Sequence, residues 1–393
     1  MSTDHSPSQV GEETLGAEQE QSVTPLELFF DLVFVFAFTQ VSSYLAQNLT
    51  WAGMARGAAI FAALWWAWVC YSWLTGSVDA EDVLPARLVI LMAMVSMLLV
   101  ALAVPDAFGD DALLFGLAYF AVRLLHIAFY PIVAPPETRQ AVFRIAPGFL
   151  GGPLLLVVAS FTQGVTQSAL WVVALLIDYG VVYIQGVQGF HVTVSHFVER
   201  HRLIMIIALG ESLVAIGIGA SGLSLTTGVI AAAILGIVLV IAFWWLYFDY
   251  IVLAAEKRLS KEPESKRAVL ARDSYSYIHL LIVGSIMFVA LGIEQTLAHI
   301  DEPLGLIPAV ALFGGGALYL IGHNVFRYRD HRTISVLRLV VSVVSLALIP
   351  VALQVRSTVA LFLLTALFVG LAVYETIWST HRNRLRSATV SSD

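Results

Sequence analysis

The sequence predicts an all-α polytopic membrane protein of about twelve transmembrane helices, arranged as two parallel six-helix repeats. Three observations carry this reading. Hydrophobic residues make up 59% of the 393 residues, charged residues only 12%, and the mean hydropathy is +0.84, far outside the soluble globular range. Windows of about 20 residues yield roughly twelve apolar segments, and these runs lack the alternation that a lipid-facing barrel strand needs. Residues 113 to 178 find counterparts 197 positions later, polar residues included: His126 with His323, Phe129 with Phe326, Pro153 with Pro350 and Asp178 with Glu375. Earlier in the chain Asp31 matches Glu211 and Trp65-Trp66 matches Trp244-Trp245, at offsets of 180 and 179, a longer linker after the second tryptophan pair accounting for the later jump. An internal duplication is the economical explanation, and in a membrane protein it points to a pathway between the halves.

The first half supplies spans at Leu26–Leu45, Ala55–Leu74, Ala86–Val104, Leu113–Val133, Val142–Phe161 and Ala169–Gly186. The second supplies Leu203–Ala220, Gly228–Leu253, Tyr275–Leu297, Leu304–Phe326, Ile334–Val355 and Thr358–Trp378. Residues 1–24 read as a disordered cytoplasmic tail, because the acidic, Ser/Gln/Glu-rich start lacks Lys, Arg and an apolar core, so it is no signal peptide. The first repeat then covers 25–190, the second opens over 191–254, a charged linker suited to a short cytoplasmic helix occupies 255–274, the second repeat resumes over 275–380, and 381–393 form a tail.

Basic residues orient the chain. Arg87, Arg139, Arg144, Arg200, Arg202, the cluster from Lys257 to Arg272, and the run from Arg327 to Arg386 fall on or near the side of the N-terminus, apart from Arg356, which with Arg56 lies near the other side. The positive-inside rule then puts both termini in the cytoplasm of a multi-pass cell-membrane protein. Six spans per half give both copies the same orientation, which excludes an inverted repeat at this level. The net charge of −7 is dominated by the acidic tail and says little more.

Chemistry must come from ionisable residues inside the spans. Glu27 and Asp31, four apart, share a face of the first helix and repel one another unless a cation, a proton or an arginine lies between them. Glu211 and Asp178 lie deep, whereas Glu375, Glu294 and Asp249 lie nearer helix ends. Against these acids the spans offer chiefly Arg123, with Arg338 near a helix start. A charge left unpaired at mid-membrane costs at least about 2.5–3.5 kcal/mol, so each acid must be protonated, paired or hydrated. Two readings stand side by side. In one, Glu27, Asp31, Asp178, Glu211 and Glu375 line a cation or proton path, with His126 and His323 as relays. In the other, a structural network such as Arg123 with an acid only locks helices together.

The aromatic clusters around Trp65, Trp66, Trp68, Tyr71 and Trp73 and around Trp244, Trp245, Tyr247, Phe248 and Tyr250 either form a constriction or serve packing and interfacial belts, the belts being favoured. His191, His196, Glu199 and His201 crowd the segment before the seventh span; their spacing and the absence of a helping cysteine favour a solvated or headgroup-facing loop over a metal site. Gly210, Gly217 and Gly219 suit close helix approach in the seventh span. Cys70 is the single cysteine and lies in a span, so no intramolecular disulfide is available. No Walker loop, nucleophile elbow, HExxH or dinucleotide fingerprint occurs, so neither enzymatic activity nor a cofactor or metal is expected.

The run Pro25-Leu26-Glu27-Leu28-Phe29-Phe30-Asp31-Leu32-Val33-Phe34-Val35 resembles the opening signature of the bacterial low temperature requirement protein A family. Glu199-Arg200, Leu209-Gly210-Glu211-Ser212, Trp244-Trp245 with Tyr247-Phe248-Asp249, and Gly322-His323 resemble its second-half motifs. The resemblance implies a multi-spanning membrane protein linked to growth in the cold. Leu26 to Asp31 with Val33-Phe34, Ala37 and Thr39 is also similar to the first-helix Phe-Ser-Asp motif of the lysosomal potassium channel family, with Phe30 in place of the serine. Together these support a transporter or channel for a cation, proton or small solute, set in the lipid bilayer, with no nucleic-acid partner and with a second copy of the chain as a candidate partner. The alternative is a non-transporting membrane scaffold or sensor of lipid state.

Overall fold

In the computed structural model, residues 23–76, 83–249 and 252–390 are described. The expected tail over 1–24 therefore lies almost wholly outside the described residues, as do 391–393 of the C-terminal tail. The helices are α1 (Pro25–Gln47), α2 (Trp51–Thr75), α3 (Leu84–Ala103), α4 (Ala112–Val133), α5 (Pro136–Ala159), α6 (Gly164–Gln185), α7 (Val194–Ala220) and α8 (Thr227–Phe248). There follow α9 (Val252–Lys261), α10 (Glu264–Ala271), α11 (His279–Ala298), α12 (Leu306–Ala309), α13 (Gly315–His331), α14 (Val336–Ala347), α15 (Ile349–Ala352) and α16 (Ser357–Val390). Among the described residues 11 helices are long and apolar enough to cross a membrane, as an all-α polytopic membrane protein requires.

The eleventh expected segment departs from expectation. Ile334–Val355 was expected to be one span; it is divided into α14 and α15, with Pro350 in the first turn of α15. Proline has no N–H to give and clashes with the preceding turn, so the helix restarts there. Pro153, at the matching position, instead lies inside the unbroken α5. The linker is two short helices, and α10 runs through a π-helical stretch, Arg272–Ile278, straight into α11. Such wide turns leave carbonyls free for other partners. Here Ser276 O accepts from Trp65 Nε1 at 2.8 Å and Ser276 Oγ from Trp73 Nε1 at 3.0 Å, which ties α2 to α11.

Helices α1, α7 and α11 pack on one another at the centre, while α6 and the α14/α15 pair lie at the perimeter. The start of α1 is fixed by a capping box, in which Thr24 Oγ1 accepts from Glu27 N and Glu27 Oε2 accepts from Thr24 N at 2.9 Å. Four-residue spacing sets Phe30, Phe34 and Phe38 on one buried face of α1, and their rings continue through Phe61, Trp65 and Trp68 to His201. This aromatic column fills the middle of the bundle.

Of the three glycines expected to bring helices together, only Gly219 does so. A Cβ there would stand 2.8 Å from Glu294 O and 2.9 Å from Leu297 Cβ, whereas Gly210 and Gly217 have nothing within 4 Å. Gly219→Ala is expected to force α7 from α11 and to lower stability by about 1–3 kcal/mol, and Gly217→Ala to change it little. Denaturant unfolding of both purified variants checks this; equal stability would show that the contact is not limiting.

Candidate functional site

Four of the five expected acids are held by basic side chains. Asp31 Oδ1 accepts from Arg200 Nη2 at 2.9 Å and from Trp68 Nε1 at 2.9 Å. Glu27 pairs with His196 Nε2 at 2.9 Å, and Arg200 Nη1 stands 3.9 Å from its carboxylate. The charge lying between Glu27 and Asp31 is therefore a guanidinium, from the other half of the chain. Asp178 meets Arg123 Nη2 at 2.6 Å and Tyr119 OH at 2.9 Å, and the guanidinium also touches Cys70 Sγ and lies 4.2 Å above the Phe149 ring. Glu375 takes a bidentate pair from Arg338, Nε to Oε1 at 2.8 Å and Nη2 to Oε2 at 2.7 Å.

Glu211 is different. It is buried, Oε2 accepts from Thr39 Oγ1 at 2.7 Å, and Oε1 has no hydrogen-bond partner, with the buried Ser42 hydroxyl beside it. Of the five acids it alone has no arginine or histidine partner. Glu294 on α11 is close enough for the two charges to interact. Asp31 and Glu211 do not occupy one level, although they match in sequence. Asp31 faces Arg200, whereas Glu211 faces Thr39, roughly 12 Å further along α1 by helical rise. The cause is the length of α7, which begins at Val194, about two and a half turns before the expected Leu203.

That longer helix also corrects the reading of the histidine segment as a solvated or headgroup-facing loop. His191 is exposed and pairs with Glu264 at 2.6 Å, but His196 and His201 are buried on α7. His201 Nδ1 bonds Phe197 O at 2.8 Å, so it carries the hydrogen and Nε2 is left as a buried acceptor without a partner. His279 Nδ1 bonds Ser274 O at 2.9 Å, so the Tyr247 hydroxyl donates to His279 Nε2 at 2.8 Å. Ser42 and His279 carry no signal in the sequence, Thr39 stood only within a motif resemblance, Arg200 within one and among the orienting basic residues, and His196 and His201 only within the expected loop. One signal was readable: His196 and Arg200 repeat the four-residue spacing of Glu27 and Asp31.

The paired histidines His126 and His323 diverge. His323 Nδ1 accepts from Arg338 Nη1 at 2.9 Å, which fixes its hydrogen on Nε2, and its ring rests on Tyr319. His126 has no partner at either nitrogen and borders a cavity of about 40 Å³ walled by Trp66, Trp73, Tyr130 and Phe149. Trp65 and Trp66 are fully buried in packing, whereas Trp244 and Trp245 are 44% and 39% exposed on the outer surface of the bundle. The second pair thus faces away from any interior path. Among the described residues no group of three or more His, Cys, Asp or Glu is placed to hold a metal ion.

Between the two polar levels the buried residues of α1 are Phe34, Ala37 and Phe38 and those of α7 are His201, next to Arg200, and then Ile204, Met205, Ala208 and Leu209. The α1 and α7 contact is therefore layered: an ion-pair network, an apolar middle, then the Glu211 site. At the far end Leu49, Trp51, Gln295, His299 and Glu302 line an open vestibule of about 460 Å³.

Comparison with known proteins agrees with the architecture. No solved structure matches the chain. An uncharacterized protein, RA0937, of Rhizobium meliloti (strain 1021) is 32% identical over 311 residues, 75% of each chain. The family described as bacterial low temperature requirement A protein matches residues 22–373, which takes in every acid and arginine placed above except Glu375, and the chain belongs to that family.

Proposed function

We propose that this membrane protein passes a cation or proton along the contact between α1 and α7, with Glu211 as the working acid and the basic end of the bundle in the cytoplasm. One observation carries the reading: Glu211 is buried with no basic side chain beside it, only the hydroxyls of Thr39 and Ser42, while its four fellow acids are held by arginine or histidine. A buried acid with no basic partner in a membrane protein defaults to an ion or proton role. The apolar layer of Phe34, Phe38, Ile204 and Met205 separates it from the charged network and suits a closed gate. An internal duplication in diverged form supports the same reading. Asp178 and Glu375, at matching positions, each hold an arginine, but Arg123 comes from α4 and Arg338 from α14, so the acids persist while their partners have moved.

The test is ion flux into proteoliposomes under separate potassium and proton gradients, for wild type and Glu211→Gln. The expected result is flux in wild type that falls at least tenfold in a well-folded Glu211→Gln protein. No flux above empty vesicles from folded, inserted wild type, or full flux in the variant, sinks the reading.

A further inference from the structure

We infer that the species bound at Glu211 is a proton, and that Thr39 is the hydrogen-bond switch that accommodates both states of the carboxyl. This deepens the pathway reading by naming its ion. The geometry at Thr39 is the starting point. Its hydroxyl has one hydrogen but two acceptors in reach, Glu211 Oε2 at 2.7 Å and Val35 O, one turn back on α1, at 3.1 Å. With Glu211 ionised, the Thr39 hydrogen goes to Oε2. With Glu211 protonated, the carboxyl O–H donates to Thr39 Oγ1, and the threonine hydrogen turns to Val35 O. Both arrangements satisfy every hydrogen with no movement of the backbone, and the proton count balances: the carboxyl gains or loses one, and threonine only rotates.

The surroundings favour a proton over a metal cation. The buried Ser42 hydroxyl stands beside the Glu211 carboxyl as a second hydroxyl next to Thr39, so neutral hydrogen-bonding groups and no basic side chain meet it. The charged groups on neighbouring helices do not supply a counter-charge. Glu294 of α11 is a like charge. Arg56, near the same end of α2, lies 4.9 Å from the Phe108 ring and interacts with Tyr44 and not with Glu211. Arg200 of α7 is engaged with Asp31 and Glu27 at the other level. A metal ion needs several converging oxygens, and here one carboxylate and two hydroxyls are offered.

The test reads proton binding directly and does not depend on flux. Infrared difference spectra of the purified protein in lipid, titrated with pH in H2O and D2O, report the carbonyl stretch of a protonated carboxyl. The expected result is a titrating band that vanishes in Glu211→Gln, persists with a displaced midpoint in Thr39→Val, and returns to the wild-type midpoint in Thr39→Ser. Unfolding curves show that each variant is folded. A band unaltered by Glu211→Gln, or one that sodium or potassium abolishes at constant pH in wild type, overturns the inference. A proton site found without flux leaves the inference standing and defeats the pathway, whereas cation flux without the band does the reverse.

Discussion

Replacing Arg123 with methionine is expected to lower the free energy of unfolding by about 3–5 kcal/mol, the cost of leaving a buried charge without its partner. Asp178 would keep only the Tyr119 hydroxyl, and the cation over Phe149 would be lost with the contact to Cys70. The double variant Arg123→Met/Asp178→Asn removes both charges, and its loss is expected to be well below the sum of the two single losses, because a buried pair replaced as a unit strands nothing. Arg123→Lys is expected to behave nearer to methionine than to wild type, since a point ammonium cannot lie flat on the ring and reach the carboxylate together. Denaturant titration of the purified variants measures all of these; additive losses would show that the pair is not coupled.

The second large effect separates two acids that sequence alone treats alike. Asp31→Asn is expected to cost about 3 kcal/mol or more, because Arg200 loses its close partner and keeps only Glu27 at 3.9 Å. Glu211→Gln is expected to stay within about 1 kcal/mol of wild type, because the amide oxygen still accepts from Thr39 and no counter-charge is stranded. Unfolding measured beside flux sorts the two: lost flux in Asp31→Asn would then follow from a weakened fold, and lost flux in a stable Glu211→Gln from the path itself. Equal destabilisation by both substitutions would remove the distinction.

The helices were legible because apolar length is a strong local signal, whereas the break between α14 and α15 was not, because a hydropathy window runs through Pro350 without registering its missing N–H. Which acids are locked was not legible either. Asp178 and Arg123 lie 55 residues apart, and Asp31 and Arg200 lie 169 apart, so only the packing of the helices tells which charges meet. The reach of α7 was missed because His196, Glu199, Arg200, His201 and Arg202 lower the local hydropathy, and a window that rewards apolar residues ends at Leu203. Within that stretch His196 and Arg200 are matched by Glu27 and Asp31, and Arg202 by Glu256, so the charges are paired in the folded helix. The tryptophan pairs show the converse: the same dipeptide is core at Trp65-Trp66 and faces outward at Trp244-Trp245, since burial depends on neighbours that a residue type does not specify.

The bond between Asp31 and Arg200 also has a bearing on biogenesis. Ribosomes add about 5–20 residues per second, so the 169 residues that separate the pair imply a wait of roughly 8–34 seconds between the two partners leaving the ribosome. Through that interval the first helix carries two acids with no arginine to meet them, and stable residence in lipid would be unfavourable. The nascent α1 is thus expected to linger beside the insertion machinery, or to enter with its acids protonated, until α7 arrives. Truncating the chain before Val194 would then leave the first helix poorly retained, which makes the seventh helix the step that commits the first to the membrane.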